Sequence, residues 1–223
     1  VCGRFTLFES DRILAREFGV PPSVELLPRY NIAPTQTVAA VRISPASGTR
    51  ELVLLRWGFI PSWAKDPAVG NRLINARSET AHLLPAFRDA FRARRCLIPA
   101  SGFYEWRKQG PRKQPFYVRM RDGRPLAFAG LWERWEDPGG TAMETCTILT
   151  TDANPILSPI HDRMPAIVAP RDHGLWLDPS IRDPKALKPV LSPCDADAME
   201  VYPVTTLVND PSHEGAECIR EGS

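Results

Sequence analysis

Cys96–Trp132 reads CLIPASGFYEWRKQGPRKQPFYVRMRDGRPLAFAGLW. Four short runs stand out in it: Cys96–Ile98, Phe103–Trp106, Phe116–Met120 and Leu126–Trp132. Each is rich in aliphatic and aromatic residues and bounded by Gly, Pro, Asp or Ser, the pattern of short strands. Asp122-Gly123, between the last two, is a two-residue hairpin signal. Outward from this stretch, Thr37–Ile43 and Glu51–Trp57 are β-rich runs joined by a turn that carries Ser and Gly, so a second hairpin is expected there. Glu144–Thr150 and Glu200–Val204 add two more strands.

The helical signals are short. Ser10–Phe18 has a capping Ser10, Leu14 and Phe18 on one face, and Gly19 to close it. Ser78–Leu84 and Ala86–Arg94 read as helical turns broken at Pro85, and Arg171–Leu177 and Pro184–Leu191 as short helices entered or interrupted by proline. Proline, 23 of 223 residues, argues against long uninterrupted helices. No repeat, low-complexity tract or linker divides the chain. The expected fold is α+β: one domain over residues 1–223, an antiparallel, barrel-like sheet with short peripheral helices.

Composition excludes several classes. Apolar residues make up 43% and charged residues 24%, as in ordinary globular chains. No apolar run reaches the ~18 residues of a membrane span, and no basic stretch followed by an apolar one marks a secretion signal. Coiled coil, membrane protein and disordered chain are excluded. Net charge is only +2, but Arg88–Arg124 holds eleven lysines and arginines against three acids. That basic middle is either a phosphate-binding face or a solvated surface. The five cysteines are Cys2, Cys96, Cys146, Cys194 and Cys218. They are odd in number and lack zinc-ligand spacing, which fits a reducing cytoplasm and no metal.

Four places carry candidate chemistry. Cys2 would offer an α-amine beside its own thiol if residue 1 were removed, with pKa values of roughly 7.7–8.0 and 8.5; the alternative is an incidental early cysteine. Val1 is read as a translated start codon whose true residue is a cleaved methionine, a usage that points to a bacterial source. Asn75 and Arg77 lie two apart and share a face on extended chain, fit to bind an oxyanion or phosphate, or else a turn amide and a surface cation. Glu105 sits among aromatics where strands avoid carboxylates, either as a general acid or base of raised pKa or as an outward partner of Arg107 or Lys108. His161, with Asp162 and Arg163, lies in a loop between Pro159 and Pro165.

Six stretches occur in one order: Cys2-Gly3-Arg4-Phe5, Arg29–Gln36, Trp57-Gly58-Phe59-Ile60-Pro61, Asn75-Ala76-Arg77-Ser78-Glu79, Gly102–Trp106 and His161–Pro165. Together they resemble the SRAP-domain family (SOS response-associated peptidase), from Cys2 to about Cys218. The resemblance implies a single α+β domain that binds single-stranded DNA and shields abasic sites in the DNA-damage response. It implies a Schiff base from the Cys2 α-amine to the sugar aldehyde, then ring closure by the thiol to a thiazolidine. Glu105 would shuttle protons, His161 would open the sugar and stabilise the Schiff base, and Asn75 would hold Cys2. Arg4, Arg77 and Arg163 would grip DNA phosphates. Cys2, Asn75 and Glu105 would also remove residue 1 autoproteolytically. No metal or organic cofactor and no membrane partner are implied, and the chain would be a cytoplasmic monomer, nucleoid-associated during damage. Two departures stand out: Val1 in place of Met, and Ala64 after Trp63 where some members place a second tryptophan, which would leave a smaller stacking wedge. Two other readings remain open, a thiol peptidase acting on other proteins and a non-catalytic sensor of single strands.

Overall fold

The computed structural model describes residues 2–22 and 25–222. Val1, on which the start-codon reading rests, lies outside them. The chain begins with β1 (Phe5–Leu7) and α1 (Asp11–Phe18), followed by β2 (Arg29–Ile32), β3 (Thr37–Ile43) and β4 (Arg50–Trp57). Ser10 caps α1 by accepting from the Ile13 N–H, and Gly19 closes it in the left-handed region. β5 (Asn75–Arg77), α2 (Arg88–Ala93), β6 (Arg95–Ala100), β7 (Gly102–Gln109) and β8 (Arg112–Met120) come next. The last elements are β9 (Leu126–Glu136), β10 (Ala142–Asp152), β11 (Arg163–Pro165), α3 (His173–Leu177), α4 (Pro184–Leu187) and β12 (Met199–Pro203).

Two sheets result. β10, β4, β3, β6 and β9 pair in that order, and β9 pairs back onto β10, which closes a barrel. A five-stranded sheet, ordered β12-β8-β7-β1-β2, lies beside it. β6 is buried along its whole length, so after Arg95 it reads as a continuous apolar run rather than an alternating one. Phe5 of the second sheet meets Trp57 edge-on at 5.2 Å and Phe128 at 5.7 Å, and Phe103 meets Phe128 at 5.9 Å. Each such pair contributes about 0.5–1.5 kcal/mol beyond the area it buries, and together they join the sheets through one apolar core. Arg95 is buried and donates to the carbonyls of Phe91 (2.7 Å), Arg92 (3.0 Å) and Trp176 (2.6 Å), which satisfies the open carbonyl ends of α2 and α3.

Two sequence expectations change. Asp122-Gly123 does not make a hairpin, because both edges of β9 are taken by β6 and β10. Instead it turns the chain, with Gly123 N–H on the Met120 carbonyl at 3.1 Å, from the five-stranded sheet into the barrel. The hairpin of this region is β7–β8, turning at Gly110-Pro111. Ser78–Leu84 forms isolated turns and not a helix; its first N–H, that of Ser78, donates to the Thr150 carbonyl at 2.9 Å, continuing the β5–β10 ladder.

Candidate active site

Cys2 precedes β1, and the register of β1 on β7 decides what it meets. Phe5 pairs with Phe103 and Thr6 with Gly102, while the Tyr104 N–H reaches the Arg4 carbonyl at 3.0 Å. Continued toward the N-terminus, this ladder carries Cys2 to Glu105, whose carboxylate accepts from the backbone N–H groups of Cys2 and Trp106. Gly102, at the start of β7, leaves room for β8 on this strand: a Cβ there would lie 2.4 Å from the Tyr117 ring and hydroxyl. From the barrel side, Asn75 Nδ2 donates to the Cys2 carbonyl at 3.0 Å. β5 is held parallel to β10, with Asn75 opposite Ile148 and Arg77 opposite Thr150. Cys2 is therefore gripped at its nitrogen by one sheet and at its carbonyl by the other.

Burial sets the titration of this pair. Glu105 is 3% exposed, and desolvation raises its pKa from 4.5 to about 7 against the N-terminal ammonium charge and its backbone hydrogen bonds, with the Asp162 charge adding to the rise. The Cys2 thiol, fully buried, is pushed far up by burial and by the Glu105 charge. It is held as the thiol.

His161 lies in the loop between β10 and β11. Its Nδ1 is 3.0 Å from the Arg163 N–H and 2.9 Å from the Asp162 carboxylate. One nitrogen cannot accept from the first and donate to the second. Desolvation lowers the His161 pKa against the opposing pull of Asp162, which favours the neutral ring.

The three arginines differ. Arg77 is exposed on β5, with no ion pair among the described residues. Arg163 is bidentate on Glu79 (2.9 and 2.8 Å) and also reaches Asp152 at 2.6 Å and the Thr150 carbonyl at 2.7 Å. It ties the His161 loop to the segment after Asn75. Arg4 donates to Asn31 Oδ1 at 2.8 Å and to the Val208 carbonyl at 2.7 Å, and lies 5.8 Å from the Trp106 ring. Asn31 in turn donates to the carbonyls of Asp210 (2.9 Å) and His213 (2.8 Å). The conspicuous Arg29–Gln36 stretch is thus a clamp on the C-terminal segment, completed by Glu214, which accepts from Arg29 and from the N–H groups of Tyr30 and Asn31. Glu79, Asp152 and Asn31 were not singled out from the sequence. Glu79 and Asn31 carried a signal, their places in the Asn75–Glu79 and Arg29–Gln36 stretches, and Asp152 carried none. Among the described residues no group of three or more His, Cys, Asp or Glu side chains is placed to hold a metal ion.

The family model for SOS response associated peptidase (SRAP) matches residues 1–211. Abasic site processing protein YoqW of Bacillus subtilis is 43% identical over 98% of this chain and 99% of its own. Abasic site processing protein YedK of Escherichia coli is 31% identical over 99% of each chain. The crystal structure of a protein from Bacteroides thetaiotaomicron matches with a TM-score of 0.88 at 25% identity, over 100% of both chains. With the family model spanning nearly the whole length, the chain belongs to the SRAP family, whose relatives here are named abasic site processing proteins.

Proposed function

We propose that this protein captures abasic sites in single-stranded DNA by bonding them to Cys2 once residue 1 has been removed. The observation that carries the reading is the Glu105 carboxyl, poised at a pKa of about 7 against the Cys2 N–H. Hydrolysis of the bond before Cys2 needs a proton for the leaving nitrogen, and Glu105 in its acid form sits at that nitrogen. The released α-amine adds to the aldehyde of the ring-opened sugar. Water departs with a proton from Glu105, leaving a Schiff base. The Schiff base so left is protonated, and the thiol adds to its carbon: the S–C bond forms, the C=N electron pair moves to nitrogen, and the thiol proton goes to the Glu105 carboxylate, which restores its acid form. The product is a five-membered thiazolidine, a ring that requires an amine and a thiol on adjacent carbons.

Both forms of Glu105 are populated at neutral pH, as an acid–base shuttle needs. Asn75 holds Cys2 through its carbonyl, and neutral His161 donates from Nε2 to the opening sugar and the Schiff base. Arg77, already exposed, takes a phosphate; Arg4 and Arg163 reach theirs by sharing a guanidinium now engaged by the protein. A thiol peptidase acting on other proteins is the weaker reading. It works through a thiolate poised near neutral pH, whereas burial holds the Cys2 thiol protonated, and here the amine attacks first.

The test is a denaturing gel of protein with a single-stranded oligonucleotide carrying an abasic site, beside intact mass of the protein. Wild type, beginning at Cys2, should give a heat-stable shifted band. Cys2→Ala keeps an N-terminal amine and should give a band only when borohydride traps the Schiff base. A heat-stable band from Cys2→Ala, or an active preparation that retains residue 1, overturns the reading.

A further inference from the structure

The eleven cations between Arg88 and Arg124 are not one surface. Arg94 pairs with Glu133 (2.7 Å), Arg119 with Glu200 (2.5 Å), Arg124 with Asp122 (3.2 Å) and Arg88 with Asp89 (3.6 Å). Arg95 is spent on helix-end carbonyls, and Arg121 donates to the carbonyls of Asp197 and Met199. Four of the remaining five, Arg107, Lys108, Arg112 and Lys113, crowd the end of the β7–β8 hairpin, and among the described residues no carboxylate pairs with any of them. Lys108 stands directly opposite Lys113. Like charges in that position destabilise a ladder, so this tip is not arranged for its own stability.

The faces of the hairpin give the tip a direction. Side chains alternate along β7, so Arg107 lies on the Glu105 face, about 7 Å further along the strand. Arg112, opposite Gln109, shares that face. The Arg107 guanidinium sits 4.8 Å from the ring of Phe116, the cross-strand partner of Glu105. A row of positive charge therefore leads from the reacting centre to the exposed tip. We infer that the β7–β8 hairpin is an arm that grips the phosphodiester backbone of the strand flanking the reacting sugar, with Arg107 and Arg112 on its phosphates and Lys108 and Lys113 adding charge from the opposite face. The inference rests on the single-stranded DNA reading above. Contacts to phosphate carry no base identity, so the arm holds any sequence.

The experiment is fluorescence anisotropy across a salt series, with abasic-free single strands for wild type, Arg107→Gln/Arg112→Gln and Lys108→Glu. Two lost phosphate contacts should flatten the log–log salt slope by about 1.4. Lys108→Glu places a carboxylate opposite Lys113, so it should melt no lower than wild type and yet bind more weakly, which separates binding from folding. Trimming the oligonucleotide from one end, and not the other, should abolish the difference between wild type and the double variant. Equal slopes and affinities in all three proteins overturn the arm, even if wild type forms its abasic adduct. A flattened slope in a protein that forms no adduct keeps the arm and removes the covalent reading instead.

Discussion

Glu105 holds a proton in the folded chain between pH 4.5 and about 7, a range in which the unfolded chain has released it. Folding stability from this group is therefore full below the unfolded value and declines as pH rises to the folded one, by on the order of 3 kcal/mol for a gap of this size. Glu105→Gln removes the titration. The variant should overtake wild type in melting temperature above about pH 7, while adduct formation slows by roughly 10²–10⁴. Thermal melts at pH 5 and pH 8 check the first half and single-turnover rates the second. The same pH dependence in both proteins would show that the buried acid is another group. At this scale much was legible: a carboxylate among aromatics, an N-terminal cysteine, and an amide two residues from an arginine. What engages the arginines was not. The partners of Arg4 and Arg163 come from positions 31, 79, 152 and 208, and only the strand register brings them near.

The elements were read unevenly, for identifiable reasons. β3, β4 and the capped α1 lay open because their signals are local. β1, β2 and β11 are too short to show an alternation, and β5, seen as extended chain, finds its parallel partner more than seventy residues later. Asp122-Gly123 misled because a turn signal specifies a reversal but not which sheet the next strand enters. Gly102 is the hinge between β6 and β7, and its missing side chain is where β8 comes closest. Gly102→Ala would press a methyl onto Tyr117, whose hydroxyl is bonded to Thr6 at 2.7 Å, and onto the Val118 carbonyl. Overpacking of this kind costs about 1–3 kcal/mol, or a melting temperature lower by about 2–12 °C in a chain of this size. An unchanged melting temperature would mean that β7 and β8 are not held this tightly.

For the whole molecule, the barrel and the five-stranded sheet share Phe5, Trp57, Phe103 and Phe128 in one core, and residues 206–214 are stitched back onto β1 and β2 by Arg4, Asn31 and Glu214. We expect residues 1–223 to unfold as one unit, with near-ultraviolet and far-ultraviolet circular dichroism melts coinciding. Two separated transitions would make the sheets independent bodies. The enclosure of Cys2 has a consequence for the life of the protein between encounters. A bare aminothiol condenses with any aldehyde it meets and is exposed to every peroxide, so in solution it would be a short-lived scavenger of metabolic debris. On the proposed reading, a Cys2 thiol folded away with no exposed surface is a reagent with a shelf life, discharged by what is led to it and not by whatever diffuses past.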